Sequence, residues 1–122
     1  MDIRYSCNQR DFKRYTTEET RNEFLIEKLF VADEVVAVYS HVDRMVTLGC
    51  MPTTEEVNLE KGMDVWANFG TKYVLERREI GIFNLGGSGK IVADGVEYAL
   101  GYKDCLYITQ GTKEVTFASD DK

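Results

Sequence analysis

Residues 73–119 read YVLERREIGIFNLGGSGKIVADGVEYALGYKDCLYITQGTKEVTFAS, and this stretch decides the fold. Short apolar runs alternate along it with turn-forming residues. Gly86-Gly87-Ser88-Gly89 separates residues 80–85 from 91–93, and Asp94-Gly95 separates the latter from 96–100. Gly101-Tyr102-Lys103-Asp104 precedes 105–109, and Gln110-Gly111-Thr112-Lys113 precedes 115–118. Glycine supplies the positive φ that tight turns require, and Asp-Gly is among the strongest short hairpin signals. Strands this short and this evenly spaced predict a mainly β domain, a sandwich or a barrel.

Upstream of this core, VVAVYS at 35–40 is a β-branched run and predicts a strand. Asp43-Arg44 marks a turn, and MVTLGCM at 45–51 reads as the antiparallel partner. Pro52, the only proline, ends it because proline cannot donate to a ladder. EEVNLE at 55–60 predicts an edge strand and Lys61-Gly62 a turn, while MDVWANF at 63–69 is ambiguous, with a single helical turn one reading of it. Near the start, Thr16 with Glu19 three positions on forms a capping-box signature, so a short helix is expected through about Phe24. Glu18 and Glu19 are favourable at its positive end. Periodicity leaves open whether Phe24, Leu25, Ile26, Leu29 and Phe30 continue that helix or begin an extended segment; Asp33-Glu34 breaks the pattern. Residues 1–15 show no period and read as an arm lying across the domain or across a neighbour. The expected organisation is one domain over 1–122, with the arm and helix in 1–30 and a barrel in 31–122.

At 122 residues, 43% hydrophobic and 30% charged, the chain is one domain's worth of material with enough apolar content to bury a core. Fifteen Lys and Arg face 21 Asp and Glu, a net charge of −6. This balance argues against nucleic acid or an anionic membrane as the main partner, because phosphate binding needs a basic face. No apolar run approaches the roughly 20 residues that span a bilayer. Met1-Asp2-Ile3-Arg4 lacks the apolar segment of a signal peptide, so the expected location is the cytoplasm. Cys7, Cys50 and Cys105 are odd in number and lack CxxC spacing, which favours free thiols. Cys50 and Cys105 sit in apolar runs and read as core.

Three features invite a chemical reading. Gly86-Gly87-Ser88-Gly89-Lys90 suggests a phosphate loop, but Ile91 stands where Ser or Thr is needed. The run also lies between strands instead of opening a helix, so a hairpin turn is expected. Glu76-Arg77-Arg78-Glu79 is the densest charge cluster. Read functionally, it is a polar constellation at a barrel mouth, with carboxylates for acid–base work and arginines for a substrate carboxylate. Read structurally, it is an internal salt-bridge cluster or a subunit contact. His41 is the only histidine and is expected to be a hydrogen-bonded surface residue beside Tyr39 and Asp43. One histidine and three scattered cysteines make poor material for a zinc or iron site, so no metal ligands are assigned.

Several segments together resemble a known family. They are TRNEFLIEK at 20–28, FVADE at 30–34, YSHVDR at 39–44, YVLERREIG at 73–81, NLGG at 84–87 and KEVTFAS at 113–119. In order and spacing they resemble the N-terminal half of 5-keto-4-deoxyuronate isomerases, also called 4-deoxy-L-threo-5-hexosulose-uronate ketol-isomerases. The resemblance implies two cupin-like β-barrels (jelly-roll, or double-stranded β-helix) in one polypeptide, assembled into hexamers. It also implies a zinc-dependent ketol-isomerase of pectin and uronide breakdown, converting 5-dehydro-4-deoxy-D-glucuronate to 3-deoxy-D-glycero-2,5-hexodiulosonate.

The cupin pattern is degenerate here. Glu79 and Gly86 match the tail of the first cupin motif, but Tyr73, Val74 and Leu75 stand where its histidines belong, and Glu114 takes the place of the later one. Glu76-Arg77-Arg78-Glu79 resembles the ERRxE part of the family's zinc motif, whose ligands lie in the other barrel. The resemblance therefore implies no metal in this half and zinc in the second. This half would supply scaffold and subunit contacts, with Arg77 and Arg78 the candidates for holding the substrate's carboxylate. The rival expectation is a stand-alone, metal-free barrel that binds or assembles without catalysis.

Overall fold

A computed structural model describes residues 1–120. Its order is β1 (Asp2–Arg4), α1 (Gln9–Phe12), α2 (Thr17–Phe24), β2 (Val35–Ser40), β3 (Met45–Cys50), β4 (Val57–Asn58), α3 (Val65–Phe69), a 3-10 turn (Val74–Glu76), β5 (Ile80–Phe83), β6 (Gly89–Ala93), β7 (Val96–Leu100), β8 (Cys105–Ile108) and β9 (Val115–Ser119). The strands form three sheets, ordered β1-β2-β3, β4-β9-β6-β7 and β5-β8. Among the described residues no sheet closes on itself, so the barrel expected for 31–122 takes the form of open sheets. The mainly β architecture is consistent with a cupin-like fold.

Local chemistry explains most elements. Thr16 accepts from the Glu19 amide while the Glu19 carboxylate accepts from the Thr16 amide, so the capping box forms and α2 runs to Phe24. That reciprocal bonding also holds the Glu19 carboxyl below its ordinary range. Leu25 is extended, which resolves the open reading of 24–30: the chain leaves the helix there. It then crosses β3 so closely that a Cβ at Gly49 would meet the Leu29 carbonyl. β2 and β3 form an antiparallel hairpin with Arg44 at φ 57° in the turn. Asp94 and Gly95, both at positive φ, join β6 to β7 in a two-residue turn, as Asp-Gly predicts. The expected strand at 55–60 shrinks to Val57–Asn58, which does lie at a sheet edge.

Of the two readings of residues 1–15, the structure takes the arm across the domain: β1 pairs in parallel with Val38–Ser40 of β2, and Asn8 caps the short α1. One expectation needs correction. Gly86–Gly89 is not a hairpin turn: β5 pairs with β8, and β6 pairs with β7 and β9, so the loop crosses between sheets. Asn84 shapes that loop by accepting from the Gly86 amide and donating to the carbonyls of Gly87, Leu100 and Gly101.

The main core gathers Leu59, Val74, Leu75, Ile91, Ala93, Leu100, Ile108 and Val115. Ile80 and Ile82 of β5, with Leu106 of β8, pack against it from the ribbon side. Alternation therefore turns Phe83, Cys105 and Tyr107 outward, and all three are exposed.

Candidate functional site

The segment from Thr71 to Glu79 is held by two carboxylates that act on backbone. The Val74 amide donates to Glu60 Oε1 (2.7 Å), and the Lys72 amide donates to Glu76 Oε2 (2.7 Å). These bonds fix the 3-10 turn whose Val74 and Leu75 enter the core. The four charges of Glu76-Arg77-Arg78-Glu79 then diverge. Glu76 is spent on the turn, Arg77 projects into solvent, Arg78 is half-buried, and Glu79 bonds the Tyr107 hydroxyl and raises that phenol's pKa. Among the described residues none of the four makes an ion pair with another, so the expected salt-bridge cluster is absent there.

Arg78 is the organising side chain. Its Nη2 donates to the Tyr39 hydroxyl (3.1 Å) and its Nη1 to the Arg44 carbonyl (3.2 Å). Its guanidinium carbon lies 5.2 Å from the centre of the Tyr39 ring and 5.1 Å from that of Phe69. A planar, weakly hydrated cation suits this placement, with faces toward rings and edges toward oxygens. The arrangement ties β2, α3 and the approach to β5 together. Next to it, the His41 ring lies 4.7 Å from Tyr39 and stacks on Tyr5 at 4.8 Å and 17°. His41 is at the surface as expected, but its hydrogen bond is from the backbone amide to Arg4 O, while its ring is held by aromatic contacts.

The two candidate arginines are thus adjacent in sequence and different in circumstance. Arg77 is exposed, with its guanidinium available to an outside anion, whereas Arg78 already serves two acceptors and two rings. A groove of about 870 Å³ lies elsewhere, between α2 and β2, with Val35–Val38 as its floor. Arg4 pairs there with Asp2 and Arg21 with Glu27, and Lys28 shares the lining with Glu18, which leaves little excess charge to draw a carboxylate.

Sequence reasoning missed Asp33, read only as a pattern breaker. At φ 57°, its carboxylate accepts from the amides and hydroxyls of both Thr53 and Thr54, at 2.6–2.9 Å. The Thr54 hydroxyl and these amides hold the carboxyl far below its ordinary range. Lys61 reinforces the clip by bonding both Asp33 O and Glu55. No local signal links residue 33 to residues twenty positions away.

The cysteines also differ from expectation. Cys50 is only partly buried, though burial pushes its thiol up to about 11. Cys105 is exposed on β8, so it is not core. Among the described residues, no group of three or more His, Cys, Asp or Glu side chains converges to hold a metal ion. The cysteines lie on separate elements and His41 is committed to a stack of rings, so this donor set does not fit zinc. Among the same residues no helix is long and apolar enough to cross a membrane.

No family model matches the chain. It is 50% identical over 121 residues to a 4-deoxy-L-threo-5-hexosulose-uronate ketol-isomerase of Lachnospira eligens, covering 99% of this chain and 42% of that protein. It is 49% identical over 121 residues to the proteins of the same name in Escherichia coli strains UTI89 and CFT073, covering 99% of this chain and 43% of each. The chain therefore spans about two fifths of the length of the curated relatives it matches. Along nearly all of its own length, this chain is homologous to a part of the 4-deoxy-L-threo-5-hexosulose-uronate ketol-isomerases.

Proposed function

We propose that this chain is the N-terminal barrel of a cytoplasmic, hexameric ketol-isomerase that converts 5-dehydro-4-deoxy-D-glucuronate to 3-deoxy-D-glycero-2,5-hexodiulosonate in pectin and uronide breakdown. The observation that carries this reading is the 49–50% identity along 99% of the chain to proteins bearing the isomerase name. Such a reaction moves a carbonyl to the adjacent carbon, so a proton is removed next to a carbonyl and the resulting enediolate must be stabilised. The donor set described above does not fit zinc, so zinc is assigned to the remainder of the polypeptide and no step is derived through it here.

The contribution of this part is scaffold and subunit contacts. Arg77 is the residue with a guanidinium free to meet a substrate carboxylate, and Arg78 sets the position of the segment that presents it.

The test is made on the polypeptide expressed from its native gene, by intact mass, zinc content and turnover of the 5-keto uronate. A mass well above the 14.0 kDa of this chain, with turnover, supports the reading. Arg77→Ala is expected to raise KM at least tenfold with the fold intact. Unchanged KM and kcat in both Arg77→Ala and Arg78→Ala would remove the arginines from the proposal. A 14.0 kDa product without turnover would favour a binding or assembly module instead.

A further inference from the structure

Among the described residues, the outward face of the β5–β8 ribbon has no partner. Phe83 is 69% exposed, Leu85 65%, Tyr102 64% and Tyr107 57%, and Cys105 lies among them. Register places Phe83 opposite Cys105 and Gly81 opposite Tyr107. Asn84 extends the pairing, donating to Asp104 O and accepting from the Lys103 amide, which brings Leu85 and Tyr102 to the same end. Glu79, bonded to Tyr107, and Lys103, 5.1 Å from the Tyr102 ring centre, form a polar rim. At the fractions given, these side chains leave on the order of 500 Å² of mostly apolar surface open, at the upper end of what a monomer exposes.

We propose that this face is the docking surface for the remaining portion of the same polypeptide, a reading that rests on the two-part protein proposed above. Two observations favour that occupant. The first is where β9 leaves the domain: Ser119 pairs with Gly89, and the Asp120 amide donates to Ser88 O. The chain thus departs beside the loop that carries Leu85, so a following domain is delivered next to this surface. The second is size. About 500 Å² on one side corresponds to about 1,000 Å² buried in all, within the range of interfaces between domains of one chain and below that of obligate dimers. The relatives supply an occupant, since more than half of their length lies outside the matched part.

Cys105 reports directly on coverage. The native gene product is treated with a maleimide at pH 7.5, and labelling of the Cys105 peptide is followed by mass spectrometry, beside the isolated 1–122 chain and a Phe83→Asp/Leu85→Asp variant of the full product. Cys105 labelling is expected to be at least tenfold slower in the full product than in the 1–122 chain, and to regain its speed in the variant. Equal rates in the full product and the 1–122 chain overturn the proposal. So does protection within the 1–122 chain that grows with its concentration, because a second copy would then be the occupant. A 14.0 kDa gene product overturns it as well, since no occupant would exist. Turnover measured on the same sample separates the two readings: turnover without protection refutes only the docking face, and protection without turnover refutes only the isomerase.

Discussion

Gly49→Ala tests the account of how the segment after α2 is laid over the sheet. Gly49 lies in β3 opposite Val36 and is buried. A Cβ built there would meet the Leu29 carbonyl oxygen, and would sit 2.6 Å from Leu29 Cγ and 2.8 Å from the Leu29 carbonyl carbon. A side chain can swing away from such a contact, but a backbone carbonyl moves only with its neighbours. Overpacking costs about 1–3 kcal/mol, and the backbone contact places this site at the upper end. Alanine's lower unfolded-state entropy returns up to about 1 kcal/mol, leaving a net loss of about 2 kcal/mol. For a chain of this size that corresponds to a fall in Tm of about 8 °C. The assay is urea and thermal unfolding beside Gly81→Ala, a strand glycine whose Cβ would meet nothing within 4 Å. Gly81→Ala is expected to be neutral or slightly stabilising, with both variants keeping the wild-type m-value. Equal stability of the two alanine variants would refute the close approach of Leu29 to β3.

Three further outcomes follow from particular contacts. Asp33's folded-state pKa is depressed, so its contribution is present above the unfolded carboxyl value of about 3.9 and is lost as pH falls through the lower folded value. The Tm gap between wild type and Asp33→Asn should therefore be widest near pH 6 and shrink below about pH 4; a gap constant from pH 6 to pH 2.5 would exclude the clip as its source. Thr16→Ala removes the cap from α2 and should destabilise it by about 1 kcal/mol, seen as faster hydrogen exchange at the Glu19 amide. Leu75→His places a polar ring where the side chain is 2% exposed and should destabilise by about 3 kcal/mol or more. Elemental analysis of that variant should find no stoichiometric zinc, and finding it would show that a metal site is latent here.

Signals confined to a few neighbouring residues were legible, while those that depend on partner choice were not. Thr16 and Glu19 announce a capping box because both halves of the interaction lie within one turn. Asp94-Gly95 announces a hairpin because the turn itself dictates the backbone. Gly86–Gly89 has equally good turn chemistry, yet nothing local says that β5 will pair with β8 instead of β6. Cys105 was misplaced because CLYI is apolar on both faces, so alternation does not say which face meets the core. The cluster at 76–79 was visible as charge, but its outcome depends on Tyr39, Arg44, Phe69 and Tyr107, each brought in by a different element. Asp33 is the extreme case, since an aspartate before a strand looks like a breaker until Thr53 and Thr54 close on it.

The resemblance sets Tyr73, Val74 and Leu75 against the histidines of a first cupin motif, and the structure shows what these positions do. Val74 is 6% and Leu75 2% exposed, and both belong to the main core. The interior there is filled by aliphatic side chains from the 3-10 turn, β6, β7, β8 and β9. Glu114, which the resemblance sets against the later histidine, has its backbone tied to Asp94 at the β6–β7 turn, with its amide donating to Asp94 Oδ1 and its carbonyl accepting from the Asp94 amide. The carboxylates of the 76–79 segment also have partners, Glu76 the Lys72 amide and Glu79 the Tyr107 hydroxyl. Val74 and Leu75 support the aliphatic side chains around them, so the loss of either would open a cavity. What these contacts give the segment is structural: Arg78, fastened between Tyr39 and Phe69, holds it in place, while Arg77 is exposed.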